Sequence, residues 1–273
     1  MLLSTAFFPP LCWFAAAAED WGRVVASNPS SVCDVYLEAC ENFCKQSYRN
    51  RCIIAAAGGP EAISVPVVHD GDVYHTRITE VRVDYSDSWV VKAERAIDSA
   101  YRTSAFFEYY RDDVFSILDS RIPTLWDLNL AIINYFIRKI RLGIRIVPTA
   151  DFIAPAEKAS EPVRTSCSSH HRLAPMVPPF TRPRSPRKSW ISGVTRAATP
   201  PEGSSLTGKD YEKDYRYIIH PKKENTILKD MNLEKPYFQV FAGKYGFLSD
   251  LSVMDLLFNE GPDSILYIVP ALR

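Results

Sequence analysis

The densest run of residues able to do chemistry is CKQSYRNRC, Cys44 to Cys52. Its flanks alternate apolar and polar residues, whereas this run is polar throughout. Read as an extended strand, it projects Gln46, Tyr48 and Asn50 to one side and Ser47, Arg49 and Arg51 to the other. Two arginines two residues apart on one face can reach one anionic group, each offering a planar fork of donors. The chemistry expected is an anion or sugar-phosphate clamp. An edge strand whose arginines pair with surface acids would give the same pattern. His69, in SVPVVHDGD, ends a strand before a turn, where a loop can present it as a general base or simply expose it; His220 in IIHPKK is placed similarly. Asp255 and Asn259 stand at i and i+4 among Leu251, Met254, Leu257 and Phe258. A carboxylate on so apolar a face needs partners. Asp255 therefore either pairs with an arginine such as Arg51 or lines a polar pocket.

Several classes of chemistry lack their signatures. There is no GxGxxG, Walker loop, HExxH or GxSxG. The six cysteines (Cys12, Cys33, Cys40, Cys44, Cys52 and Cys167) show no paired CxxC spacing and read as reduced, mostly buried thiols rather than a zinc site. Cys40 has no visible partner that would make it a nucleophile. No metal and no cofactor are expected. Lys plus Arg and Asp plus Glu number 32 each, so no global field draws the chain to nucleic acid or an anionic membrane. No apolar run approaches the ~20 residues of a spanning helix.

Of the elements that must position these residues, the first is MLLSTAFFPPLCWFAAAAED. Residues 1 to 18 contain no Lys or Arg, unlike a secretory leader. The reading is a buried strand from Met1 to Phe8 turned by Pro9 and Pro10. CDVYLEAC alternates with period two, CIIAAAGGPEAIS reads as two strands around a Gly-Gly-Pro turn, and VYHTRITEVRVDYS reads as another strand. From Trp89 the period becomes helical, with helices from about 89 to 141 and a strand at LGIRIVP. Residues 151–208 are rich in Pro, Ser, Thr and Arg, include His170 and His171, and read as a disordered insert. Pro236 to Ala242 reads as a strand, followed by a helix in SDLSVMDLLFNEG capped by Ser249 or Asp250 and closed by Gly261. The fold expected is one α+β domain, with a mainly antiparallel sheet in the N-terminal third. It would run through 1–150 and resume over 209–273 as a C-terminal strand-helix unit. The aromatic run Tyr101, Phe106, Phe107, Tyr109 and Tyr110 should be mostly core, though tyrosine faces suit sugars.

The strings MLLSTAFFPPLCWF, VYLEACENFCKQSYRNRC, SVPVVHDG, RAIDSAYRTSAFFEYYRDD, DLNLAII and KPYFQVFAGKYGFLSDLSVMDLLFNEGPDSILYI resemble the WbqC-like protein family. The resemblance covers nearly everything outside about residues 151 to 208. It implies a role in surface-polysaccharide (O-antigen) biosynthesis. One implied activity is acyl or aminoacyl transfer to a nucleotide-linked amino sugar from an acyl carrier or thioester donor. The alternative is a non-enzymatic glycan- or nucleotide-binding assembly factor. Residues matching the family pattern are Gln46, Asn50, Arg51, Trp89, Tyr101, Tyr237, Gln239, Ser252, Asp255, Asn259 and Gly261. Relatives often carry His or Thr where this chain has Ala93. They also begin much as this chain does, which implies a mature, cytoplasmic protein. The site residues expected are His69 and Asp255 for catalysis. Gln46, Arg49, Asn50, Arg51, Trp89, Tyr101, Tyr237, Gln239 and Asn259 are expected for binding.

Overall fold

The computed structural model describes residues 1–69, 71, 73–154 and 213–272. The N-terminal apolar run divides at its prolines: Leu2–Leu3 form strand β1 and Leu11–Val24 form helix α1. The longer strand expected over Met1 to Phe8 does not extend, because later backbone groups bond elsewhere. The Phe7 N–H donates to Tyr48 O at 2.8 Å, and Pro9 O accepts from the Val253 N–H at 2.9 Å. The first N–H groups of a helix find no partner within it. Two are met from the far end of the chain: Leu11 N–H donates to Leu251 O at 3.0 Å, and Cys12 N–H to the Asp250 carboxylate at 2.7 Å. Helix α1 buries Trp13, Phe14 and Ala15 to Ala18.

Strand β2 (Cys33–Leu37) pairs on one side with β1 and on the other with β5 (Ile144–Pro148), both in parallel. The antiparallel pairing expected of the first third is confined to the hairpin of β3 (Arg51–Ala56) and β4 (Gly59–Ser64) and to isolated bridges. Gly59 takes φ 112° at its turn, a conformation glycine adopts without penalty. The strand expected in VYHTRITEVRVDYS is instead a short 3-10 turn at Val73–His75 followed by single bridges such as Val67 to Val83. The class is α+β, with mixed rather than purely antiparallel sheets.

Helices α2 (Trp89–Tyr101), α3 (Phe107–Asp119) and α4 (Leu125–Ile140) follow their sequence periodicity, and α2 buries Ile97, Ala100 and Tyr101. Thr124 caps α4, accepting from the Asp127 N–H at 3.1 Å and donating to its carboxylate at 2.8 Å. Beyond residue 213 come α5 (Ile227–Asp230), α6 (Ala242–Tyr245), α7 (Val253–Glu260) and α8 (Ile265–Ile268). Pro236 to Ala242 is not a strand: its backbone turns, with the Ala242 N–H donating to Gln239 O at 3.1 Å. The cap of α7 is Ser252, not Ser249 or Asp250, because Asp250 is committed to α1. Gly261 closes α7 at φ 55°, where a Cβ would come within 2.6 Å of the Phe106 ring.

The insert expected over 151–208, with His170 and His171, falls mainly outside the described residues. Its flanks are held by one buried network. Arg216 Nη1 donates to Glu38 Oε2 at 2.8 Å and to Ile153 O at 2.7 Å, while Glu38 also accepts from the Ile153 N–H at 3.0 Å and from Thr149 at 2.9 Å. Both members of the Arg216–Glu38 pair have side chains 0% exposed. No helix among the described residues is long and apolar enough to cross a membrane.

Candidate functional site

The β3–β4 hairpin, the turns around residues 43–50, the segment from Val65 to His69 and the start of α2 enclose a cleft of about 510 Å³. Register places its walls. Arg51 opposes Ser64 at the open end of the hairpin, and Val65 N–H donates to Asn50 O at 2.8 Å, carrying the pairing one residue further. Asn50 Nδ2 donates to Val65 O at 3.1 Å. The α2 contribution is Trp89, Lys92, Ala93 and Ala96, at i, i+3, i+4 and i+7, one helix face. Trp89 is fixed by stacking on Tyr85, with centroids 5.8 Å apart, and by an edge contact with Phe7 at 6.3 Å. Lys45, Arg51 and Lys92 bring positive charge to the lining and Glu61 and Asp87 negative charge. Asp87 is engaged by Lys92 at 2.8 Å.

Three residues of this lining carry buried polar atoms with no hydrogen-bond partner among the described residues: Arg51 Nε, Asn50 Oδ1 and Trp89 Nε1. Leaving such an atom unmade costs about 1–3 kcal/mol. The atoms themselves are closed to solvent, while their side chains border the cleft. A second depression of about 480 Å³ borders α2 and α3; its arginines are exposed and its acids half-buried, with Glu94 Oε1 unpartnered among the described residues and Asp98 paired i,i+4 with Arg102.

Of the expected site residues, Gln46, Asn50, Arg51, His69 and Trp89 meet in the cleft, with His69 exposed at its edge. Arg49 does not join them. Residues 44–50 form turns rather than a strand, with Gln46 at φ 58°, so the two arginines do not share a face. Arg49 is buried instead: its Nε donates to Glu41 Oε1 at 2.8 Å, its Nη2 to Glu41 Oε2 and, at 2.7 Å, to Ser4. It is the pairing arginine, and Arg51 the unpaired one.

Asp255, Tyr101, Tyr237, Gln239 and Asn259 form a separate cluster between α2, α7 and the turns before α6, outside the cleft lining. Asp255 is 0% exposed. Its Oδ2 accepts from the Tyr237 hydroxyl at 2.7 Å and from Gln239 Nε2 at 2.9 Å, and Asn259 donates to its carbonyl at 2.7 Å. Burial raises the Asp255 pKa to about 6, against the hydrogen bonds that favour its charged form. The arginine pairing considered for Asp255 does not form, and its carboxylate lies away from His69's cleft. The Tyr101 hydroxyl lies close enough to the Asp255 carboxylate to help favour its charged form, though neither it, Asp255 Oδ1 nor Asn259 Oδ1 makes a well-formed hydrogen bond among the described residues.

Cys12 and Cys52 are buried, Cys33 and Cys40 half-buried, and Cys44 exposed. Burial and the Glu38 charge push the Cys40 thiol up, the opposite of activation. Among the described residues no group of three or more His, Cys, Asp or Glu is placed to hold a metal ion. Lys45, Lys92 and Ala93 complete the cleft; for Lys92 and Ala93 the signal was present in their spacing from Trp89. Comparison with curated proteins found no match, and comparison with solved structures found none. The model of the WbqC-like protein family matches residues 31–180, a span that holds every cleft residue and more than half of the sequence, and the chain belongs to that family.

Proposed function

We propose that the cleft binds a nucleotide-linked amino sugar and that the protein transfers an acyl or aminoacyl group to the sugar amine, in cytoplasmic steps of surface-polysaccharide (O-antigen) synthesis. The observation that carries the reading is the lining itself, which gathers the Gln46 and Asn50 amides, the Arg51 guanidinium and the Trp89 ring about one cleft. A sugar offers hydroxyls or an amine to the amides, and the Arg51 guanidinium suits an anionic substituent. A cleft of about 510 Å³ lies within the size range of small-molecule sites. Trp89 gives a sugar ring or base an apolar wall.

In the reaction proposed, the amine nitrogen attacks the carbonyl of a thioester donor. The C–N bond forms, the C–S bond breaks, the thiolate leaves, and His69 at the cleft edge takes the amine proton. One observation favours the second reading, a glycan- or nucleotide-binding assembly factor: Asp255, the other residue expected for catalysis, is buried outside the cleft lining. Calorimetry with an amino-sugar nucleotide, followed by mass spectrometry after addition of an acyl thioester, separates the two. Binding lost in Arg51→Met, together with an acylated product lost in His69→Ala, supports the transferase. Binding without product supports the assembly factor, and no binding by the native protein overturns both.

A further inference from the structure

The segment Ile219 to Lys223, IHPKK, is separated from the cleft residues by the whole of the central chain yet adjoins them. Lys222 Nζ donates to Gln46 Oε1, tying the segment to a residue of the cleft wall. The Lys222 N–H donates to His220 Nδ1 at 3.1 Å. His220 Nδ1 is thus the acceptor, and the ring's other nitrogen is left to donate. The cations Lys223, Arg49, Lys222 and Arg51 all act on His220 and, with burial as the larger cause, lower its pKa. Arg49 is neutralised by Glu41, but no ion pair engages Arg51, Lys222 or Lys223 among the described residues, and Arg51 Nε is buried without a partner. Like charges held near one another repel, and a dianionic ligand relieves that repulsion.

We propose that Arg51, His220, Lys222 and Lys223 form a phosphate seat at the Gln46 end of the cleft, which takes the phosphate or diphosphate group of the bound molecule. The proposal rests on the reading that the cleft is a ligand site, and it assigns one end of that site. The sugar then lies toward Trp89, and the segment that follows residue 212 becomes part of the binding surface. Lys222 also supplies a latch, since a phosphate can displace Gln46 as its acceptor and release the Gln46 amide to the ligand.

Calorimetry on the full chain tests this, with inorganic pyrophosphate, an amino-sugar nucleotide and the corresponding free amino sugar as probes. The native protein is expected to bind pyrophosphate and the nucleotide. The double variant Lys222→Met with Lys223→Met should weaken both by about tenfold or more, as expected for lost charge-assisted contacts. Lys229→Met, which removes one exposed charge on α5, should leave both unchanged. Binding of the free amino sugar should be the same in the native protein and the double variant. If the nucleotide binds the native protein and the double variant equally, the phosphate seat is wrong while the cleft stands. If the native protein binds none of the three probes, the cleft reading fails and the seat with it. Pyrophosphate bound without the nucleotide would overturn the assignment to a sugar nucleotide and leave a site for free phosphates.

Discussion

Arg49 and Arg51 are two residues apart and chemically identical, yet they belong to different parts of the molecule. Arg49 is enclosed with Glu41 and Ser4, whereas Arg51 borders an open cleft with one nitrogen unmatched. The same contrast holds between the two polar groups as wholes. In the Asp255 cluster Tyr237 and Gln239 close on the carboxylate, and the neighbouring atoms left unbonded are sealed from solvent. In the cleft the side chains that carry such atoms border a space of about 510 Å³, although the atoms themselves are equally closed to solvent. Polar density therefore marks both the scaffold and the site. What separates them is whether the side chains border open space.

If Arg49 is scaffold, Arg49→Met should destabilise the protein by about 3–5 kcal/mol, since Glu41 is left charged and buried. Denaturant unfolding measures this, and a neutral result would return Arg49 to the site. Asp255→Ala should cost about 3 kcal/mol by stranding Tyr237 and Gln239. It should leave ligand affinity in the folded fraction unchanged. The folded Asp255 pKa of about 6 lies above its ordinary 3.8. Between those values the native state holds a proton that the unfolded chain has released. Stability from this group is therefore full below about pH 4 and falls as pH rises to about 6, by up to about 3 kcal/mol. The slope should vanish in Asp255→Asn when unfolding is followed across that range. Arg51→Met is expected not to destabilise the protein, since it removes a buried nitrogen without a partner, while weakening nucleotide binding about tenfold or more. A large stability loss there would erase the contrast with Arg49. The smallest effect is expected for Lys92→Met, whose exposed pair with Asp87 is worth about 0–1 kcal/mol.

Local periodicity was enough to read α2 to α4, the β3–β4 turn and β5, because each repeats its apolar residues at its own spacing. Pairing was less legible. CDVYLEAC reads as a strand, but nothing in it tells that its neighbours are the distant Leu2–Leu3 and Ile144–Pro148, both parallel. The errors share a cause. Met1 to Phe8, Cys44 to Cys52 and Pro236 to Ala242 have strand-like composition, and each is diverted by bonds to distant residues: Phe7 to Tyr48, Arg49 to Glu41, and Tyr237 and Gln239 to Asp255. The site was half legible for the same reason. Gln46, Asn50, Arg51, His69 and Trp89 come from one stretch of chain whose residues fold beside one another. Whether Asp255 belonged with them depended on a tertiary approach that no spacing encodes.

The buried Arg216–Glu38 network has a consequence for how this protein can vary in length. It joins Ile153 to Arg216, positions 63 apart in sequence, and so holds together the two points that flank the intervening passage. The entropy of closing a loop grows only with the logarithm of its length, by about 0.6 kcal/mol for each doubling. With both ends pinned inside the core, that passage can lengthen or shorten at little cost in closure entropy. The domain tolerates growth there because a few buried contacts hold both ends of the passage in place.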